Sequence, residues 1–151
     1  MRAVVQRVAQ ASIEVADEAP RELRREMGAG LLVLLGVGRD DTEESADALL
    51  RKILGLRVFE DEAGRMNLSL LDTGGELGVV SQFTLFGDTR KGRRPSFNEA
   101  APPDLAAPLI ATFVHKAMEQ GVGVITGTFG ARMEVALTNS GPVTLWIDTE
   151  R

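Results

Sequence analysis

Apolar positions along the 151 residues change period several times, and each change marks an element. "AVVQRV" (3–8) and "ASIEV" (11–15) are rich in β-branched residues and predict strands. "LLVLLGV" (31–37) is continuously apolar, the pattern of a strand buried on both faces, so a sheet covered on at least one side is expected. Between them "ADEAPRELRREMGAG" is polar and charged, carries Pro20 and ends on two glycines; it predicts an exposed hairpin or a short helical excursion. "DDTEESADALLRKILG" then switches to a helical period. Asp41 is placed to cap it with Glu44 three residues on, Ala46, Leu49, Leu50, Ile53 and Leu54 share one face, and Gly55 stops it.

Strand-like runs return in "LRVFEDEAGRMNLSLLDTGGELGVVSQFTLFG", with turn signals at 62–64 and at Gly74-Gly75, so residues 77–86 are expected to form a strand that opens into a loop. A second helix is predicted for "PPDLAAPLIATFVHKAMEQG". Prolines start it, Leu105, Leu109, Phe113, Val114 and Ala117 line one side, and Gly121 ends it. Finally "ARMEVALT" and "VTLWIDT" alternate, with Met133, Val135 and Leu137 on one face and Val143, Leu145 and Ile147 likewise, joined by "NSGP". Local physics reads that junction as a plain hairpin turn with a trans proline, because only about 5–6% of X-Pro bonds in folded proteins are cis.

Length and composition narrow the class. A chain of 151 residues fits one domain, 1–151, with no internal repeat or low-complexity segment, and 44% hydrophobic with 26% charged residues is ordinary for a globular protein. Cysteine is absent, which removes disulfides, thiolate nucleophiles and Cys-type zinc sites together. The N-terminus holds no apolar run of signal-peptide length, and "GLLVLLGVG" is far too short to span a bilayer, so a cytoplasmic protein without a membrane partner is expected. Asn67-Leu68-Ser69 matches the glycosylation pattern, but without a secretory signal the match reads as chance.

Several candidate sites lack material. His115 is the one histidine and sits mid-helix, too little for a Ser/His/Asp triad or a His-rich metal centre, and reads as a surface or packing residue. "GVGRDD" follows an apolar strand but lacks the third glycine of a dinucleotide loop and any Walker lysine, so a tight strand-to-helix turn is expected. Acids from Asp40 to Glu44 suit the positive end of a helix dipole better than a cation. A stronger signal lies in "SQFTLFGDTRKGRRPSF" (81–97). Although acids outnumber bases 22 to 17, Arg90, Lys91, Arg93 and Arg94 fall within five positions. Such a run is either a solvated charged loop or a phosphate-attracting patch beside the hydrogen-bonding groups of Ser81, Gln82 and Thr84.

That stretch and "TNSGPVT" (138–144) together resemble the D-aminoacyl-tRNA deacylases, which carry "SQFTL" and "NxGPVT" motifs, here residues 81–85 and 139–144. The likeness extends through "MRAVVQRV", "GLLVLLGVGRDDT", "DTRKGRRPSF" and "FGARMEV". It departs from the family at the charged stretch 16–27, where a shorter Gly-containing hairpin is more frequent, and at Phe86, where tyrosine is common.

The resemblance implies an α/β fold, a single-domain three-layer β/β/α sandwich of mixed sheets with two main helices. It further implies a homodimer with active sites at the interface, no cofactor or metal, and hydrolysis of the ester joining a D-amino acid or glycine to the tRNA 3' end. Carried over by position, Ser81, Gln82, Phe83 and Thr84 line the catalytic pocket, and Gly141 and Pro142, joined by a cis bond in the family, reach into the partner's site to exclude L side chains. Phe129 and Met133 fall near the terminal adenosine, and Arg7 fixes the Gly-Pro loop. The basic run 90–94 then holds tRNA phosphates. Two rivals stay open at this level: a dimeric RNA-binding module in which the cations supply all the affinity while Phe83 or Phe97 stacks a base, and a purely structural dimer.

Overall fold

The structure, a computed structural model, describes residues 1–16 and 24–150. Its backbone is organised around one long strand. The β-branched segments expected as two strands are a single strand, β1 (Arg2–Val15), and the Ala-rich middle does not break it. On one edge β1 pairs antiparallel first with β3 (Gly30–Gly36), Arg2 opposite Gly36 through Val8 opposite Gly30, and then with β2 (Arg25–Met27), Ala11 opposite Met27. β2 and β3 keep one register against β1, so residues 25–36 return alongside it as the second arm of a hairpin. That agrees with the exposed-hairpin alternative for residues 24–27; residues 17–23 of the charged stretch lie outside the described residues.

The chain then crosses through α1 (Glu43–Gly55), a small hairpin of β4 (Phe59–Glu60) and β5 (Met66–Leu68), and a one-turn helix α2 (Leu70–Thr73) to reach β6 (Glu76–Ser81). β6 lies parallel to β3, and β7 (Val124–Thr126), delivered by α3 (Pro103–Glu119), lies parallel to β6. The sheet is therefore mixed, antiparallel around β1 and parallel from β3 to β7. α1 and α3 cover one face through Leu49, Ile53, Leu109 and Phe113, packed on Ala3, Val5, Val33 and Val79. Each such Leu, Ile, Val or Phe side chain contributes about 1.5–3 kcal/mol on burial. On the opposite face Ile13, Val8 and Met27 pack over Leu32 and Val80, so the far half of β1 and its partners form a second β layer. The expected β/β/α layering with two main helices is what the chain adopts.

Four further local expectations are corrected. The first is the cap of α1: it is Thr42, whose hydroxyl accepts from the Ser45 N–H in a capping box, rather than Asp41 with Glu44. Asp41 is unavailable because its buried carboxylate accepts from the Met1 amine at 2.5 Å and the Gly38 N–H at 2.6 Å. The second is α2, a helix within a segment whose apolar pattern predicts strand; Ser69 and Asp72 make the same reciprocal cap there.

The third is the strand expected over 77–86. It ends at Ser81, and residues 83–86 form a 3₁₀ turn. Gln82 donates the last rung to Leu35 O at 2.8 Å, after which Leu85 N turns back to Gln82 O. Phe83 and Phe86, three apart, then take opposite fates. Phe86 is buried against Gly38, where a Cβ would come within 2.9 Å of its ring, while Phe83 projects outward.

The fourth is the "NSGP" turn. It joins no hairpin, because β8 (Met133–Asp148) is one strand whose two halves both pair with β1. The register passes from Gln6 opposite Thr144 to Val8 opposite Asn139, so residues 140–143 bulge out opposite the single residue Arg7. The Gly141–Pro142 peptide within that bulge is cis, against the local expectation of a trans bond.

Candidate active site

Where β6 ends and the 3₁₀ turn begins, the sheet and α3 diverge around an open cleft of about 590 Å³. Ser81, Gln82 and Phe83 form one lip, and Phe129, Ala131 and Met133 form the other. Leu35, Val80, Ala106 and Ile110 supply the floor. Five of the expected site residues therefore meet here although nearly fifty positions separate the two lips. Phe83 is 56% exposed and meets Phe97 edge-on, ring centroids 5.0 Å apart at 70°. None of the residues lining the cleft is ionisable.

Thr84 does not line the cleft. It sits one residue into the turn, where its hydroxyl accepts from Gln82 Nε2 at 2.5 Å. The turn is anchored from β1: Arg2 donates to Leu85 O at 3.2 Å and to Asp148 at 3.1 Å, and its guanidinium lies 4.3 Å from the Phe86 ring centre. Sequence reasoning missed Arg2 as the clamp on this turn; its signal, an arginine eighty residues from the motif, has meaning only once β1 is folded against it. It also missed the α3 contribution, since Ala106 and Ile110 read as ordinary helix positions.

Gly141 and Pro142 are absent from this cleft and lie exposed on the β8 bulge. The bulge is tethered by Arg7, itself buried, which donates through Nε to Ser140 O at 3.1 Å and through Nη1 to Val58 O at 2.6 Å. Gly141 has φ +116°, and a Cβ there would lie 2.6 Å from Arg7 Nη2. Arg7 and the Gly-Pro segment thus form one unit within a chain, apart from the cleft that "SQF" builds.

The basic run occupies a loop closed by a β-bridge, with Asp88 N donating to Ser96 O at 2.7 Å and Ser96 N to Asp88 O at 3.0 Å. Its cations are not equivalent. Arg90 forks onto Asp88 through Nε (2.9 Å) and Nη2 (2.8 Å), and its backbone N–H donates to the same carboxylate at 3.0 Å. These bonds hold the Asp88 carboxyl down to about 2 from its ordinary 3.8, the Arg90 side chain being the largest cause. Lys91, Arg93 and Arg94 are exposed and form no ion pair among the described residues. His115 is exposed on α3 with Nδ1 3.6 Å from Glu119, a surface residue as expected. Among the described residues no cluster of His, Cys, Asp and Glu is arranged to hold a metal, and no helix is long and apolar enough to cross a membrane.

Comparison with known proteins bears directly on this geometry. The family model described as D-Tyr-tRNA(Tyr) deacylase matches residues 4–148. A D-aminoacyl-tRNA deacylase of Roseiflexus sp. (strain RS-1) is 57% identical over 99% of this chain and 94% of its own length. One from Kosmotoga olearia is 57% identical over 100% and 99%. Among solved structures, a c-Myc DNA unwinding element binding protein superposes with TM-score 0.88 at 38% identity, covering 98% of both chains. A probable eukaryotic D-amino acid tRNA deacylase gives 0.84 at 22%, covering 97% of both, a likeness of fold. Matched by the family model along almost its whole length and by relatives more than half identical, the chain belongs to the D-Tyr-tRNA(Tyr) deacylase family.

Proposed function

We propose that this chain is a D-aminoacyl-tRNA deacylase, acting as one catalytic domain that hydrolyses the ester between the 3' end of tRNA and a D-amino acid or glycine, as a cytoplasmic step of chiral proofreading in translation. The observation that carries the reading is the lining of the cleft. It is large enough for a nucleoside and its aminoacyl group, bordered by Ser81, Gln82 and Phe83, and offers no ionisable side chain as base or nucleophile. An aminoacyl ester is an activated acyl group, so positioning and electrostatic stabilisation can supply the catalysis.

In this mechanism water attacks the ester carbonyl, assisted by the vicinal ribose 2'-OH of the substrate. The bond from the acyl carbon to the ribose oxygen breaks, and a proton passes to that oxygen, leaving a free amino acid and intact tRNA. The oxyanion is received by the backbone N–H of Phe83, which opens the 3₁₀ turn at the lip of the cleft and has no intrahelical acceptor. Loss of one such donor typically costs about 2.7–4 kcal/mol of transition-state stabilisation. Phe129 and Met133 hold the terminal adenosine, and the loop cations Arg90, Lys91, Arg93 and Arg94 hold phosphates.

Chirality is read by the backbone of Gly141-Pro142. Because that segment is exposed and outside its own chain's cleft, it acts in the cleft of a second copy, and a two-fold dimer completes both sites at once. Arg7 holds the bulge in place for that task. An L side chain meets the Gly-Pro carbonyls, whereas hydrogen or a D side chain clears them, so glycyl-tRNA is also a substrate.

Incubating the protein with D- and L-aminoacyl-tRNA and counting the released amino acid tests this reading. Release from the D ester and glycyl ester but not the L ester is expected. Tight tRNA binding without release would instead leave a non-catalytic RNA-binding module.

A further inference from the structure

A second groove, of about 320 Å³, adjoins the cleft and shares Ser81, Ile110 and Phe129 with it. Phe129, 40% exposed, is therefore a partition available to ligand on both sides. One wall of the groove is an α3 face made shallow by Ala107 and Ala111, with Val114 about a turn beyond them, and with His115 and Met118 exposed along it. Met118 is 58% exposed and the His115 side chain 73%, so a thioether and an imidazole stand in solvent beside a groove that contains no lysine or arginine. The other wall carries Ser81 and Thr126, which add polar groups at its edges.

We infer that this groove is the subsite for the base of the penultimate nucleotide of the tRNA 3' end. The inference rests on the deacylase reading, which puts the terminal nucleoside and its ester in the neighbouring cleft. The polynucleotide is continuous, so the next base must lie beside that cleft. Single-stranded nucleic acid is held by dividing the work: cations track phosphates, while flat bases lie on aromatic and apolar side chains. Here the divided parts are both present. The exposed cations of loop 90–94 offer charge, and the groove offers a cavity with apolar and aromatic walls and no lysine or arginine. An uncharged planar group, polar only at its rim, is the ligand that suits it.

The test compares two small substrates, a D-aminoacyl ester of adenosine alone and the same ester of the dinucleotide cytidylyl-adenosine. The parent protein is expected to hydrolyse the dinucleotide ester with kcat/KM about tenfold or more above the mononucleoside, the range that one base stacked on protein side chains provides. Ala111→Trp, which fills the groove, and Met118→Ala, which removes one face, should each bring the dinucleotide's rate down toward that of the mononucleoside. Equal rates on both substrates in the parent overturn the subsite. A loss of the same factor on both substrates in the variants also overturns it, because the groove would then serve the terminal nucleoside or the fold. Hydrolysis of neither ester by the parent, with D-aminoacyl-tRNA likewise intact, removes the deacylase reading itself and this inference with it.

Discussion

Two residues near the candidate site separate chemistry from architecture. Thr84 carries a hydroxyl that a covalent mechanism could use, yet it accepts from Gln82 Nε2 and has no ionisable neighbour in the cleft to take its proton. Thr84→Ala should therefore retain most of the deacylation rate, where loss of a true nucleophile costs several orders of magnitude in turnover; single-turnover rates on D-aminoacyl-tRNA decide between them. Gly141 is the reverse case, a residue without a side chain that the proposal makes indispensable. Its positive φ disfavours any L side chain, and a Cβ would enter the space of Arg7 Nη2. Arg7 can yield only by loosening its bonds to Ser140 O and Val58 O, and a buried acceptor left without a donor costs about 1–3 kcal/mol. Gly141→Ala should accordingly shift the bulge, lower deacylation of D-aminoacyl-tRNA by about tenfold or more and narrow the gap between D and L substrates. An Ala variant with the parent's rate and D-to-L ratio would sink the backbone selector.

At the level of elements, the sequence shows most clearly what is decided locally. The two main helices were legible because Leu49, Leu50, Ile53 and Leu54 in one, and Leu109, Phe113 and Ala117 in the other, keep a helical period and are buried; Leu105 and Val114, read onto the same face of the second, are only half-buried, and Ala106 is buried in addition. What escaped was decided across the chain. β8 reads as a hairpin from its own residues, and only a strand as long as β1 gives both halves the same partner. "SQFTLF" alternates well enough for a strand, and it turns because Phe86 finds room against Gly38 and a cation above its ring in Arg2. The candidate site was legible as two motifs, and their separation within one chain was an expectation carried only by the resemblance; local pattern did not show it, because it follows from the bulge that Arg7 holds. The basic loop is a further case, in which four similar cations in the sequence become one tethered and three exposed. Asp88 has its folded pKa depressed to about 2, so its grip on Arg90 is complete above pH 3.8 and is lost as pH falls toward 2. Carbon-13 NMR of the Asp88 carboxyl should show a midpoint near 2 that returns toward 3.8 in Arg90→Ala; a midpoint near 3.8 in the parent would mean the fork is not formed in solution.

For the whole molecule, charge poses the sharpest question, because a chain of net −5 is proposed to bind a polyanion. The overall field opposes approach, and at physiological ionic strength it is screened beyond about 8 Å, so binding depends on what is concentrated near the bound phosphates. The loop concentrates Lys91, Arg93 and Arg94 without acidic partners among the described residues, whereas Arg90 already has its charge met by Asp88. A cation that displaces counterions from a phosphate leaves a signature that a purely structural arginine does not: the slope of log affinity against log salt falls when it is removed. Substituting Lys91, Arg93 or Arg94 by alanine should shrink that slope by roughly 0.7 to 0.9 for each phosphate no longer neutralised, and should weaken tRNA binding without changing the D-to-L ratio, which is set elsewhere. Arg90→Ala should change the slope less than any of the three, because removing it also frees the Asp88 carboxylate beside the phosphate path. Binding isotherms over a series of salt concentrations for each variant measure this. Unchanged slopes for Lys91, Arg93 and Arg94 would return the loop to a solvated charged surface, and a slope that falls most for Arg90 would show that tRNA pulls it away from Asp88.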